Sequence, residues 1–346
     1  MTDKQKQVYS DILDSQVLSE NIHGLLKKYK EDNREIIKLS GNKGDLIENL
    51  FEAVENNIIE LHEIQNLIKD SEEFGDQYIY LFSIIDSKSA NKYNDGKQIG
   101  NAIIPASVSR NFPKIMKNPS NLEWVDFRFP NRGLENSWLV KLYDKKTREV
   151  KENERIDASN GLRHVTYRKK EARLVYIAQW DGDEELSLKI SRTSFDSYKS
   201  LWKSRKQLTD LLNKGVDLQR DFTKTDLSDT INNILINSET SRNIYILMSA
   251  KLTDSHNGSA TISTYGEDEL DLLSDVSRRE AINAYLRGNG KARSLVVKFL
   301  AEGSDNVLTK DITVVLGRHD INEMIISSKI SPQEYKYVRR KIEDFS

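Results

Sequence analysis

The spacing of apolar residues changes character at Gly75, and the two parts must fold differently. Up to that point apolar residues recur at helical intervals: Val8, Ile12 and Leu13, then Leu46, Ile47 and Leu50, then Phe51, Val54 and Ile58, then Leu61, Ile64, Leu67 and Ile68. That spacing gathers side chains on one face of an α-helix and leaves Glu and Lys to the solvent side. Residues 1–75 are therefore expected to form a helical module.

From Tyr78 onward the pattern is that of strands: Tyr78–Ile85, Val125–Phe129, Trp138–Tyr143, Arg173–Ala178 and Leu186–Ile190. The last two flank the tight turn Asp181-Gly182-Asp183 and make a hairpin. A polar loop is expected over Asp86–Gln98, where Asn94-Asp95-Gly96 is a turn signal. A helix from Ser194 to Asn213 closes this region, with Phe195, Tyr198, Leu201, Trp202, Leu208, Leu211 and Leu212 as its buried stripe. Beyond a polar connection, a short helix is expected over Leu227–Ile236 and a longer one over Leu270–Leu286. Strands are expected over Ile244–Met248, Ala260–Tyr265, Ser294–Phe299 and Ile312–Leu316. Pro332 starts a terminal helix at its favoured first position. Strands that follow one another without alternating helices favour antiparallel pairing. The expected fold class is α+β, with a helical module (1–75), a mainly antiparallel β-rich domain closed by a helix (76–215) and a C-terminal mixed α/β region (216–346).

Composition narrows the function classes. Cysteine is absent, which removes disulfides, thiol catalysis and cysteine-ligated zinc. No apolar run is long enough for a membrane span, and the N-terminus lacks the apolar core of a secretory signal. The expected compartment is cytoplasmic. Basic and acidic residues number 52 and 54, for a net charge of −2. A nucleic-acid binder of this balance must segregate its positive charge onto one surface.

One stretch of the helical module carries a motif. Gly41-Asn42-Lys43-Gly44-Asp45-Leu46-Ile47-Glu48-Asn49-Leu50 follows an amphipathic run, Ile22–Tyr29, and a linker ending in Ile36-Ile37-Lys38-Leu39-Ser40. The pattern is two short helices with a turn between them, Gly41 permitting the backbone angle that ends the linker. Lys43 falls in the first turn of the second helix, where a cation opposes the helix dipole. A phosphate bound at that helix start would account for it. Residues 20–56 resemble the SAP motif, a small helix–extended–helix module that docks on DNA. The glycine, the lysine two residues on and the Leu-Ile-x-x-Leu run match its second half. The longer linker, Gly44 and Asn49 depart from it. The resemblance implies DNA contact through Lys43; the alternative is a helical hairpin packing on the rest of the protein. In element order alone the chain also resembles the centromere protein N family, which implies contact with DNA or nucleosomes and brings no site residue.

The densest basic cluster is Arg163-His164-Val165-Thr166-Tyr167-Arg168-Lys169-Lys170-Glu171-Ala172-Arg173. It is expected to join two strands, so that several of Arg163, Arg168, Lys169, Lys170 and Arg173 project from one sheet edge or loop, with Tyr167 among them for base or sugar contact. Lys199, Lys203, Arg205 and Lys206 of the following helix complete a basic groove. Edge lysines that guard against aggregation are the competing explanation.

Catalytic patterns are weak. Asp181, Asp183, Glu184, Glu185 and Lys189 lack the one-residue spacing that would put acid and lysine on one strand face, and a hairpin turn explains them. Glu267, Asp268, Glu269, Asp271 and Asp275 lack the glycine and spacing of a calcium loop and read as helix-start acids. The five histidines show no pair at zinc-ligand spacing, and Gly288-Asn289-Gly290-Lys291 lacks phosphate-loop spacing. No cofactor or metal is expected. The expected function is that of a non-enzymatic DNA-binding protein, a recognition subunit in genome maintenance or in anti-phage or anti-plasmid defence. Its partners would be the DNA phosphate backbone and a protein of a larger complex. The alternatives are a protein–protein scaffold without nucleic acid and a nuclease built from distant carboxylates.

Overall fold

The computed structural model describes all residues other than 117–118, 157–161, 195, 257 and 265–269. The chain opens with α1 (Asp3–Gln16), α2 (Ser19–Tyr29), α3 (Lys43–Glu55) and α4 (Leu61–Glu73). Capping boxes start α1 at Thr2 and Gln5, and α3 at Asn42 and Asp45. Leu13, Ile22, Leu26, Leu50 and Ile64 are fully buried where the apolar faces meet. Gly41 precedes α3 with φ +122, where an added Cβ would lie 2.5 Å from the Asp45 carboxylate. Gly75 ends the helical part with φ +73, and a Cβ there would strike the Ser328 carbonyl at 2.1 Å. Only a residue without a side chain fits that turn.

The remaining elements are β1 (Gly75–Ile84), α5 (Ser87–Tyr93), α6 (Gly96–Ile103), β2 (Glu123–Arg128), β3 (Trp138–Ile156), β4 (Arg163–Trp180), β5 (Glu185–Ser191) and α7 (Tyr198–Leu212). Then come β6 (Phe222–Lys224), α8 (Ser228–Ile236), β7 (Tyr245–Thr253), β8 (Ser259–Ser263), a 3₁₀ turn (Leu272–Ser274) and α9 (Val276–Arg287). The chain finishes with β9 (Lys291–Phe299), β10 (Ile312–Leu316), β11 (Glu323–Lys329) and α10 (Pro332–Glu343). The fold is α+β. Among the described residues one 11-stranded sheet runs β2-β3-β4-β5-β1-β11-β10-β9-β7-β8, with β6 paired to the end of β1. The strand pairings are antiparallel. β1 joins the two halves, with β5 on one side and β11 on the other.

On one face of the first half, α5, α6 and α7 cover a core that includes Trp138, Trp180, Tyr176, Leu188 and Leu212. The second half builds its own core from Leu247, Leu295, Val297, Phe299, Ile326 and Val338. Each such buried aliphatic stabilises by about 1.5–3 kcal/mol relative to exposure. No helix among the described residues is long and apolar enough to cross a membrane.

Four local expectations are corrected. Asp86–Gln98 is not a polar loop: Asp86 and Asp95 are N-caps, and their carboxylates accept backbone N–H groups that open α5 and α6. The residue types that favour turns also favour helix starts. The Leu270–Leu286 helix is broken at Asp275, which caps α9. β11 lies beside β1 at the middle of the sheet, where no strand was expected. Tyr198 and Trp202 leave the buried stripe of α7 and are exposed, whereas Leu201, Leu208 and Leu212 are buried. Phe195 lies outside the described residues.

Candidate nucleic-acid interface

β2 pairs with β3 only as far as Tyr143, and β5 pairs with β4 only as far as Tyr176. Past those residues β3 and β4 pair with each other alone, out to Ile156 opposite Arg163. The result is a two-stranded ribbon standing off the sheet, roughly 40 Å long at about 3.3 Å per residue. The basic cluster expected to join two strands is thus itself a strand, the outer part of β4. Its cross-strand pairs, rather than a hydrophobic core, hold it in register.

Register sorts the charges. Directly opposed residues share a face of the ribbon and neighbours along a strand alternate. One face carries Arg148 opposite Lys170, Val150 opposite Arg168, and Arg155 opposite His164. The other carries Thr147 opposite Glu171, Glu149 opposite Lys169, Lys151 opposite Tyr167, and Glu154 opposite Val165. The second face is largely neutralised: Lys145 pairs with Glu171 at 3.2 Å, and Glu154 pairs with both Lys151 and Arg163, while Lys169 stands opposite Glu149 without an ion pair among the described residues. On the first face Arg168 approaches Glu152, in the ribbon's bulge, only at 4.0 Å. Among the described residues Arg148, Arg155 and Lys170 have no ion pair. This cationic face lies on the side of the sheet covered by α7. Lys146, next along the same face of β3, donates to Asp196 at 2.8 Å and to Ser200 at 3.0 Å, tying the ribbon's root to that helix.

The residues expected to bind phosphate therefore divide. Arg168 and Lys170 stand on the cationic face. Arg163, Tyr167 and Lys169 are on the opposite face among glutamates, so Tyr167 does not sit between the cations as expected. Arg173 is withdrawn from any surface: its guanidinium donates to Glu72 at 2.7 Å and stacks over Tyr143, 4.4 Å from the ring centre. Lys199 and Lys203 are exposed on α7 without ion pairs among the described residues. Lys206 pairs with Asp210 at 2.7 Å and Arg205 with Asp320 at 2.8 Å. Lys43 donates to the carbonyl of Asp14 in the last turn of α1. A helix C-terminus attracts a cation, so that contact accounts for the lysine without a phosphate. The N-terminus of α3 is occupied as well, by the Asp45 carboxylate accepting from the Asn42 N–H at 2.7 Å.

Arg173 belongs to a second assembly, on the sheet face opposite α7. Glu72 and Glu73, in the last turn of α4, are buried at 1% exposure. Lys141 reaches Glu72 at 3.0 Å and Glu73 at 2.9 Å. The Tyr143 hydroxyl donates to Glu72 at 2.8 Å, and Arg132 holds Glu73 at 2.8 Å. Burial alone would raise both carboxyls, but Lys141 with Arg173, and Lys141 with Arg128 and Arg132, hold them below the ordinary range. Nearby Lys189 is buried, its ammonium with a single hydrogen bond among the described residues, to Gln179 Oε1 at 3.0 Å, between the rings of Phe74 and Tyr335. Burial pushes its pKa down to about 8. This network ties the helical module to the sheet.

No protein-family model matches the chain, and no curated protein matches it.

The carboxylates weighed as catalytic have structural work. Asp181 accepts the N–H groups of Asp183, Glu184 and Glu185 and closes the expected hairpin. Glu185 pairs with Arg339 at 2.7 Å. Asp271 pairs with Arg242 at 3.0 Å, and Asp275 caps α9. Glu267, Asp268 and Glu269 lie outside the described residues. Among the described residues no group of three or more His, Asp or Glu side chains is placed to share a metal ion. Sequence reasoning missed Arg148 and Arg155, the partners of the basic cluster on β3. Their signal was faint: a strand with solvent on both faces has no hydrophobic alternation to betray it.

Proposed function

We propose that this chain is a DNA-binding protein that takes the phosphate backbone against the α7-side face of the β3–β4 ribbon. The observation that carries this reading is the direct opposition of Arg148 and Lys170 on a face where neither has an ion pair among the described residues. Like charges directly opposite one another destabilise a sheet, and a polyanion laid along the face relieves that repulsion. The dimensions agree, since the major groove, about 12 Å wide, admits a two-stranded ribbon. The net charge of −2 agrees too, because the cations are segregated rather than abundant. Phosphate contacts of this kind supply affinity and orientation and read little sequence. Lys199 and Lys203 extend the same side at the ribbon's root.

The test is a salt titration of DNA affinity for the parent chain and for the triple substitution Arg148→Ala, Arg168→Ala and Lys170→Ala. Each phosphate contact contributes about 0.9 to the slope of log affinity against log salt. The triple variant should bind more weakly and lose roughly two to three from that slope. A parent chain that does not bind DNA, or a variant with the parent's slope, rejects the reading.

A further inference from the structure

Tyr198 and Trp202 are 62% and 48% exposed, one turn apart on the same face of α7. Two large aromatics left in solvent side by side need a reason, because each would gain by burial. Their surroundings point to what covers them. Lys199 and Lys203 flank them on the helix without ion pairs among the described residues, so a partner must tolerate or seek positive charge. Tyr198 is braced by His319, with ring centres 5.1 Å apart. Below them Arg205 is clamped by Asp320 at 2.8 Å and lies over the Tyr80 ring, 4.7 Å from its centre. These contacts anchor the helix to the turn between β10 and β11. The ribbon meets the same helix on its other side, where Lys146 binds Ser200 and Asp196; Lys199 and Lys203 lie between that side and the aromatics.

We infer that Tyr198 and Trp202 form a stacking shelf for unpaired bases, so that the preferred ligand is DNA carrying a single-stranded segment. The inference rests on the proposed DNA-binding function and deepens it. Unpaired bases present π-faces that stack on aromatic side chains, while lysines beside the rings follow the backbone. A paired duplex hides those faces. A second copy of the chain would bring Lys199 and Lys203 against their own equivalents, which charge opposes. The ribbon then grips phosphates, and α7 selects for strands with exposed bases.

Of the four tryptophans, Trp124, Trp138 and Trp180 are buried, at 6%, 0% and 0% exposure, leaving Trp202 as the one a ligand can reach. The full chain is titrated with single-stranded oligothymidylate and with a duplex of equal length, following tryptophan emission and anisotropy. Trp202→Ala and Trp202→Phe are compared, with circular dichroism confirming that each folds. Oligothymidylate should quench the parent's emission. Trp202→Ala should lower single-strand affinity roughly tenfold, as expected for one lost stacking contact. Trp202→Phe should restore most of it, and duplex affinity should change less than about twofold. Duplex binding that depends on Arg148 and Lys170, without quenching by oligothymidylate, overturns this inference and leaves the ribbon reading intact. Failure to bind either nucleic acid overturns both. A Trp202-dependent dimer seen by light scattering, with DNA affinity unchanged in Trp202→Ala, assigns the shelf to a second copy and overturns it as well.

Discussion

Arg148 and Lys170 face each other across the β3–β4 ribbon, two cations in directly opposed positions with no ion pair to either among the described residues. A free-standing ribbon has no core to compensate for such a pair, which should cost the fold stability while serving the proposed DNA binding. Lys170→Glu separates the two. The opposite-charge pair it creates should stabilise the ribbon by about 0.2–1 kcal/mol, visible as slower amide exchange in β3 and β4. The same substitution should weaken DNA binding more than Lys170→Ala does. DNA affinity equal to that of the parent would show the face to be idle.

The α4 network predicts a much larger effect on folding. Glu72→Ala leaves Lys141 and Arg173 buried without one of their carboxylates, and Tyr143 without its acceptor. Removing one partner of a buried ion pair costs about 3–5 kcal/mol. Chemical denaturation should show a loss of that size. A loss below about 1 kcal/mol would mean that water reaches the cluster.

Lys189 gives a pH dependence with a definite sign. Its folded pKa, about 8, lies below the ordinary lysine value of 10.5. Between those values the unfolded chain holds a proton that the folded chain has released, so stability rises with pH across that window. As pH falls through about 8 the folded lysine must charge in its buried site, and that contribution is gone. Lys189→Met should remove the rise and be more stable than the parent at pH 7, by on the order of 3 kcal/mol. Denaturation of both proteins from pH 7 to 9.5 checks this, and parallel profiles would refute it.

Lys43 now carries an expectation about folding. Its ammonium closes the end of α1 against α3, so Lys43→Ala should cost about 1–2 kcal/mol and leave DNA affinity within about twofold. A melting curve and a binding isotherm decide it. A variant that melts like the parent yet binds several-fold more weakly would return Lys43 to the DNA interface.

The α+β class was legible in the sequence because period is a local property. The helices through Glu73 and the strands around Tyr80, Val140, Ile177 and Leu188 all announced themselves by spacing. The elements that escaped lack such a signal. β11 runs Glu323-Met324-Ile325-Ile326 with all of these residues buried, so it does not alternate. The outer ribbon is polar on both faces and read as a connection. Glu72 and Lys141 are the extreme case, because charged residues are expected outside and only the fold supplies their partners. A lysine within the apolar run Trp138-Leu139-Val140-Lys141-Leu142-Tyr143 was the available hint. For the candidate site, the cluster on β4 was visible, but its division between two faces depends on a cross-strand register that no single strand contains.

The position of β1 between β5 and β11 has a consequence for how the chain is made. The Tyr80 hydroxyl donates to Glu323 at 3.0 Å across a sequence separation of 243 residues. At ribosomal speeds of about 5–20 residues per second, β1 leaves the ribosome on the order of ten to fifty seconds before β11 exists. Through that interval the Gly75–Tyr80 stretch of the sheet's middle strand is an unpaired edge on the side β11 will take, the template on which foreign strands add. The nascent protein therefore passes through a sticky half-sheet that only its own last quarter can close. Chaperone demand and inclusion-body formation should track the rate at which that quarter is delivered.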